Sequence, residues 1–166
     1  MDMNLFGELS PAQYEELKGA LGLVTVLIAG ADSNIDEQEL NWAEKLTSIR
    51  SYAKPEELNA FYEDVEQGFG DKLDALIASL PQDVTERQKV ISGRLSGLND
   101  IFPRLDNSVA HQLYESFTSF AKHIAKASGG FLRLGSVSSA EKEWISLPMI
   151  EPIILEELPE EGESEE

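Results

Sequence analysis

The segment from Tyr14 to Ala31 constrains the fold most. Tyr14, Leu17, Leu21, Val24 and Ile28 recur at spacings of 3, 4, 3 and 4, which places them on one face of an α-helix. Leu23, Val26 and Leu27 fill the other sides of its second half. A helix that is apolar all round has to be enclosed by other elements, so residues 10 to 30 predict a central helix. Ser10-Pro11 marks its start, a capping serine followed by proline at the first helical position. The nearly polar-free stretch Ala20–Ala31 falls short of the about 20 residues that span a bilayer, and no transmembrane segment is expected. Met1-Asp2-Met3-Asn4 lacks the basic region that precedes the apolar stretch of a signal peptide.

The same periodicity continues along the chain. A second helix is predicted from Asp36 to about Tyr52, with Leu40, Ala43, Leu46 and Ile49 on one face. Pro55 opens a third, carrying Leu58, Phe61, Tyr62 and Val65, which Gly68 and Gly70 end before a short helix with Leu73, Leu76 and Leu80. Thr85 is expected to cap a fifth helix in which Val90, Ile91, Leu95, Leu98 and Phe102 face inward up to Pro103. A long sixth follows Asp106 or Asn107, with Val109, Leu113, Phe117, Phe120, Ile124 and Ala127 inward, and a short seventh covers about 138 to 146. Only Phe131 to Leu134 suggests extended chain. The reading is all-α: a compact bundle of about seven helices in one domain over residues 1–150, followed by an acidic tail over 151–166, mostly disordered. Within the stretch from Met149 onward, Met149–Leu155 is apolar, contains Pro152, and is expected either to strap across the bundle or to dock on another protein.

Charge narrows the function. The 166 residues hold 13 Lys and Arg against 31 Asp and Glu, a net charge of −18, with no cysteine. Nucleic-acid affinity arises from Lys and Arg displacing counterions, and no basic run exists here, so no nucleic-acid partner and no membrane insertion are expected. The lack of cysteine excludes disulfides, thiolate metal sites and thiol nucleophiles, and a cytoplasmic location is the default. A chain of this size buries about 68–70% of its unfolded surface, so no ion is needed for folding. His111 and His123 are twelve residues apart on the sixth helix and point in different directions, and Ser108, Ser116 and Ser119 lack a nucleophile's turn, so no enzyme is expected.

Asp32-Ser33-Asn34-Ile35-Asp36-Glu37-Gln38-Glu39 joins the first two helices. Oxygen side chains at alternating loop positions suit a hard divalent cation, Ca²⁺ best, with Asp32, Asn34, Asp36 and Glu39 as ligands. An EF-hand is excluded, since Glu37 stands where that loop needs Gly and Ala43 where it needs a bidentate Glu. Asp36 and Glu39 also form a capping-box pair that satisfies free backbone N–H groups of the second helix, so capping and ion binding stand as alternatives. Ile35, Asp36, Glu39 and Trp42 are echoed by Val137, Ser138, Glu141 and Trp144 at an offset of 102 residues, a pseudo-duplicated helical hairpin. Both tryptophans read as packing residues.

The apolar helix running into Ala31-Asp32-Ser33-Asn34-Ile35-Asp36-Glu37-Gln38-Glu39-Leu40, together with the second element from Ala127 to Ile150, resembles the TerB-like domains of tellurite resistance. The resemblance covers roughly residues 12 to 150. It implies an all-helical, non-enzymatic module of the stress response that binds divalent cations through acidic loops, here Asp32, Asp36, Glu39 and Glu141. The alternative is a scaffold that docks protein partners through its helical surface and the apolar C-terminal segment.

Overall fold

The computed structural model describes residues 5–31, 35, 37–53, 56–127 and 144–154. Among the described residues six α-helices form one all-α bundle, with no strand. The first, α1, spans Pro11–Ala29. Ser10 Oγ accepts from the Gln13 N–H at 3.1 Å and Gln13 Oε1 from the Ser10 N–H at 2.9 Å, a reciprocal cap that leaves Pro11 where its missing N–H is harmless. From Leu23 to Ala29 every residue of α1 is buried.

α2 spans Glu37–Arg50, and a 3₁₀ turn at Glu56–Leu58 leads into α3 at Asn59–Glu66. Gly68 adopts φ +68°, a left-handed turn into α4 at Phe69–Ser79 that a side chain would strain. α5 covers Val84–Leu95 and α6 Asn107–Ala127. α1 packs against all five other helices, as its apolar circumference requires. Across the core, Phe61 meets Tyr62 edge-on at 5.3 Å between ring centroids, and Phe117 lies 6.2 Å from Phe61 and 6.3 Å from Phe102. Such tilted and edge-on pairs set the ring's positive edge against its negative face.

Four details differ from the sequence reading. Asp83, not Thr85, caps α5, its carboxylate accepting from the Glu86 N–H at 3.0 Å. The helix therefore starts at Val84, with Thr85 already inside it. The α-helix then stops at Leu95, and two 3₁₀ segments, Ser96–Asp100 and Phe102–Arg104, carry the chain onward. Gly97, Asn99 and Pro103 disfavour a longer α-helix, while the tighter turns still bury Leu98 and Phe102. Val90, expected inward, faces solvent at 37% exposure on α5. Ala127, expected inward, is only half-buried at the end of α6. The seventh helix expected at 138–146 and the extended stretch at 131–134 lie outside the described residues, except Trp144–Ser146, which form a turn.

The C-terminal segment straps across the bundle. Leu147 and Ile150 are buried, and side chains of the bundle hold the strap's main chain. Asn99 Nδ2 donates to Met149 O at 3.1 Å while its Oδ1 accepts from Glu151 N at 2.8 Å. Asn107 Nδ2 donates to Ile154 O at 3.1 Å, and His111 Nδ1 to Ile153 O at 2.7 Å. Leu147 has φ +51°, unusual for a residue with a Cβ, and its fully buried side chain offsets that strain.

Gly30 caps α1 in a place that has no room for a side chain. A Cβ there would sit 2.9 Å from Val26 O, 2.9 Å from Arg87 Nη2 and 3.2 Å from Ile35 Cγ1. The first of these is backbone and cannot swing aside. Gly30→Ala is expected to lower the unfolding free energy by about 1–3 kcal/mol through overpacking, measured by urea denaturation.

Candidate functional site

The α1–α2 connection is fixed at both ends. At its start, Arg87 of α5 is buried and donates through Nη2 to Gly30 O at 2.7 Å and through Nη1 to Gln82 O at 3.0 Å. Gln88 Nε2 reaches Ala31 O at 3.4 Å. These two residues gather the carbonyls that the end of a helix leaves without intrahelical donors. At the far end, Glu39 in the first turn of α2 is fully buried, and Ile35 packs half-buried against the core. A carboxylate near a helix N-terminus gains from the helix dipole.

Asp32, Asn34 and Asp36 lie outside the described residues, as does Glu141 of the second loop. Of the five candidate ligands, Glu39 alone is placed. Among the described residues no group of three His, Asp or Glu side chains gathers as a metal site. The echo of Ile35, Asp36 and Glu39 at Val137, Ser138 and Glu141 falls in the same undescribed stretches. Trp42 and Trp144 are both half-buried against the core, as packing residues.

The histidines serve the main chain. His111 Nδ1 faces the Ile153 carbonyl and His123 Nδ1 the Ser119 carbonyl at 2.8 Å. A carbonyl only accepts, so each Nδ1 carries a proton. Ser119 Oγ lies 3.5 Å from that protonated nitrogen of His123, which therefore offers it no basic lone pair.

A second constellation was not foreseen. Arg50, the last residue of α2, stacks over the rings of Tyr62 and Phe120 at 5.7 and 5.4 Å from their centroids. Its Nη1 donates to Ser116 O at 2.7 Å, Ser116 Oγ at 2.8 Å and Tyr62 OH at 3.2 Å, and its Nη2 to Ser119 Oγ at 3.1 Å. Tyr62 OH and Ser116 Oγ share a further hydrogen bond of 2.6 Å. Asn59 Nδ2 ties the end of α2 by donating to Arg50 O at 3.0 Å and Ala53 O at 2.5 Å. Burial raises the Tyr62 phenol above its ordinary range, while the Arg50 charge and the hydrogen bonds from Ser116 and Arg50 pull it down. The sequence signal was available: Arg50 continues the buried register Ala43, Thr47, and Ser116 sits three residues after Leu113 on the inner face of α6.

On the opposite side of α3, Tyr14 OH donates to Asp64 Oδ2 at 2.7 Å. Desolvation, then the bond to Asp64 and its charge, push this phenol up.

In comparisons with known proteins, no family model matches this chain, and neither the curated proteins nor the solved structures return a match.

Two expectations follow. Ser116→Ala removes an oxygen shared by Arg50 and Tyr62, and chemical denaturation should register a loss of about 1–3 kcal/mol, the cost of buried polar groups losing a partner. Because Tyr14 and Tyr62 are raised in the folded state, the stability they lend is complete below about pH 10, the unfolded tyrosine value, and is lost as pH climbs toward the folded values. Unfolding free energy should therefore decline above about pH 10, and less steeply in Tyr14→Phe.

Proposed function

We propose that the chain is a non-enzymatic, TerB-like module of the cytoplasmic stress response that holds a divalent cation weakly in the α1–α2 connection. The observation that carries this reading is Glu39, a carboxylate wholly withdrawn from solvent three residues after Asp36 in a run of oxygen-bearing side chains. Arg87 and Gln88 hold the carbonyls of Gly30 and Ala31 just before that run, and α2 begins at its end. Oxygen donors of this kind suit Ca²⁺ before softer ions. With no bidentate glutamate at the EF-hand position, the affinity is expected at about 10⁻⁴–10⁻³ M, the range of weakly held calcium modules. Glu141 is the ligand that the second half of the hairpin would add.

The competing reading is a scaffold for protein partners. Met149 to Ile154 is engaged by Asn99, Asn107 and His111 of the bundle itself, so a partner would meet the helical surface instead.

Calorimetric titration with Ca²⁺ decides between them. Saturable heat at millimolar ion, lost in Asp32→Ala combined with Asp36→Ala, supports the cation site, and tenfold excess over the dissociation constant should stabilise the fold by about 1.4 kcal/mol. No heat with Ca²⁺, Mg²⁺ or Mn²⁺ at millimolar concentration ends it.

A further inference from the structure

A cavity of about 530 Å³ opens beside Arg50. Its size falls within the about 300–1,000 Å³ typical of small-molecule sites. We propose that it binds a free α-amino acid with an apolar side chain, taking the carboxylate on the Arg50 side and the ammonium on the Gln112–Glu115 side.

The donor side follows from counting hydrogens. A guanidinium has five N–H bonds. Those of Nη1 go to Ser116 and Tyr62, and one of Nη2 goes to Ser119. Nε–H and one Nη2–H have no acceptor among the described residues, and a carboxylate can accept from two guanidinium N–H groups at once. No ion pair among the described residues uses Arg50, so its charge is held by neutral oxygens and aromatic faces alone. Tyr62 OH and Ser116 Oγ both accept from Arg50 and share one hydrogen between them, which leaves one hydroxyl hydrogen over.

The acceptor side lies one turn earlier on α6. Gln112 donates through Nε2 to Glu57 Oε1 at 2.5 Å, which fixes the amide's orientation. Its Oε1 is then buried with no hydrogen-bond partner. Glu115, exposed at the cavity rim, adds a carboxylate. Gln112 and Ser116 are separated by about 6 Å along a helix axis that rises about 1.5 Å per residue, a span that the two charged groups of one amino acid and their hydrogen bonds can bridge. Leu58 and the Tyr62 ring supply an apolar wall.

The protein's charge of −18 bears on the choice of ligand. A simple anion would approach against that field, whereas a zwitterion carries no net charge and is neither repelled nor drawn at long range. Arg50 and Glu115 then act on it only within the cavity.

Calorimetry of the full chain with L-leucine, N-acetyl-leucine and leucine amide tests the assignment. Leucine is expected to bind saturably, and each analogue, having lost one charge, about tenfold more weakly, the worth of one charge-assisted contact. Glu115→Gln, at an exposed position, should weaken leucine several-fold and leave N-acetyl-leucine unchanged. Arg50→Gln should abolish binding of both, with circular dichroism confirming the fold. If Arg50→Gln unfolds, Glu115→Gln carries the test alone. Absence of saturable heat with millimolar leucine, equal affinity for leucine and N-acetyl-leucine, or an unchanged leucine affinity in Glu115→Gln overturns the proposal.

Discussion

The enclosure of the second half of α1 is the constraint on which the rest of the structure depends. From Leu23 to Ala29 no side of the helix faces water, so the five other helices must surround it, and they do. Burial of that kind is favourable for side chains by about 25 cal/mol per Å² of apolar surface, but it is hazardous for the helix terminus, whose last carbonyls need donors. Gly30 and Ala31 sit where that need falls due. Arg87 reaches the Gly30 carbonyl because Gly30 presents no Cβ to block its guanidinium, and Gln88 takes the Ala31 carbonyl. The bare residue and the buried arginine are two halves of one arrangement.

Much of the fold was legible because apolar periodicity and capping chemistry are local. The stripes of α1 and α6 and the cap at Ser10-Pro11 hold almost residue for residue. The misjudged places are where two local signals competed. Asp83 and Thr85 can both cap a helix, and Asp83 prevails with its bond to Glu86 N. Leu98 and Phe102 fit helical spacing, yet Gly97 and Pro103 turn the same inward pattern into 3₁₀ segments. The site was harder to read. Glu39, Arg50 and Arg87 each lie in register with buried neighbours, Glu39 with Ala43 and Leu46, Arg50 with Thr47, Arg87 with Ile91 and Leu95. A charged residue on an apolar stripe was the available signal. Counting acidic residues within a loop drew attention to Asp32 through Glu39 and away from Arg50, whose partners on α6 are 66 and 69 positions distant.

Arg50 also illustrates how a charge can be kept inside a bundle without an opposite charge. Stacking on Tyr62 and Phe120 uses the negative ring faces, and hydroxyl and carbonyl oxygens take the in-plane hydrogens. The result joins α2, α3 and α6 around a cation that has not been neutralised. By contrast, the sequence joining α1 and α2, from Asp32 to Glu39, carries four carboxylates and no basic residue. The two regions therefore have opposite electrostatic character within a chain that is acidic throughout.

The way the C-terminal strap is held has a consequence for its tolerance of change. Asn99, Asn107 and His111 grip peptide groups of Met149, Glu151, Ile153 and Ile154 rather than their side chains. Side chains on the outer face of this stretch are thus free to drift in evolution, whereas insertion or loss of a single residue would slide every carbonyl past its donor. Besides the buried Leu147 and Ile150, it is length more than spelling that variation in this segment has to preserve.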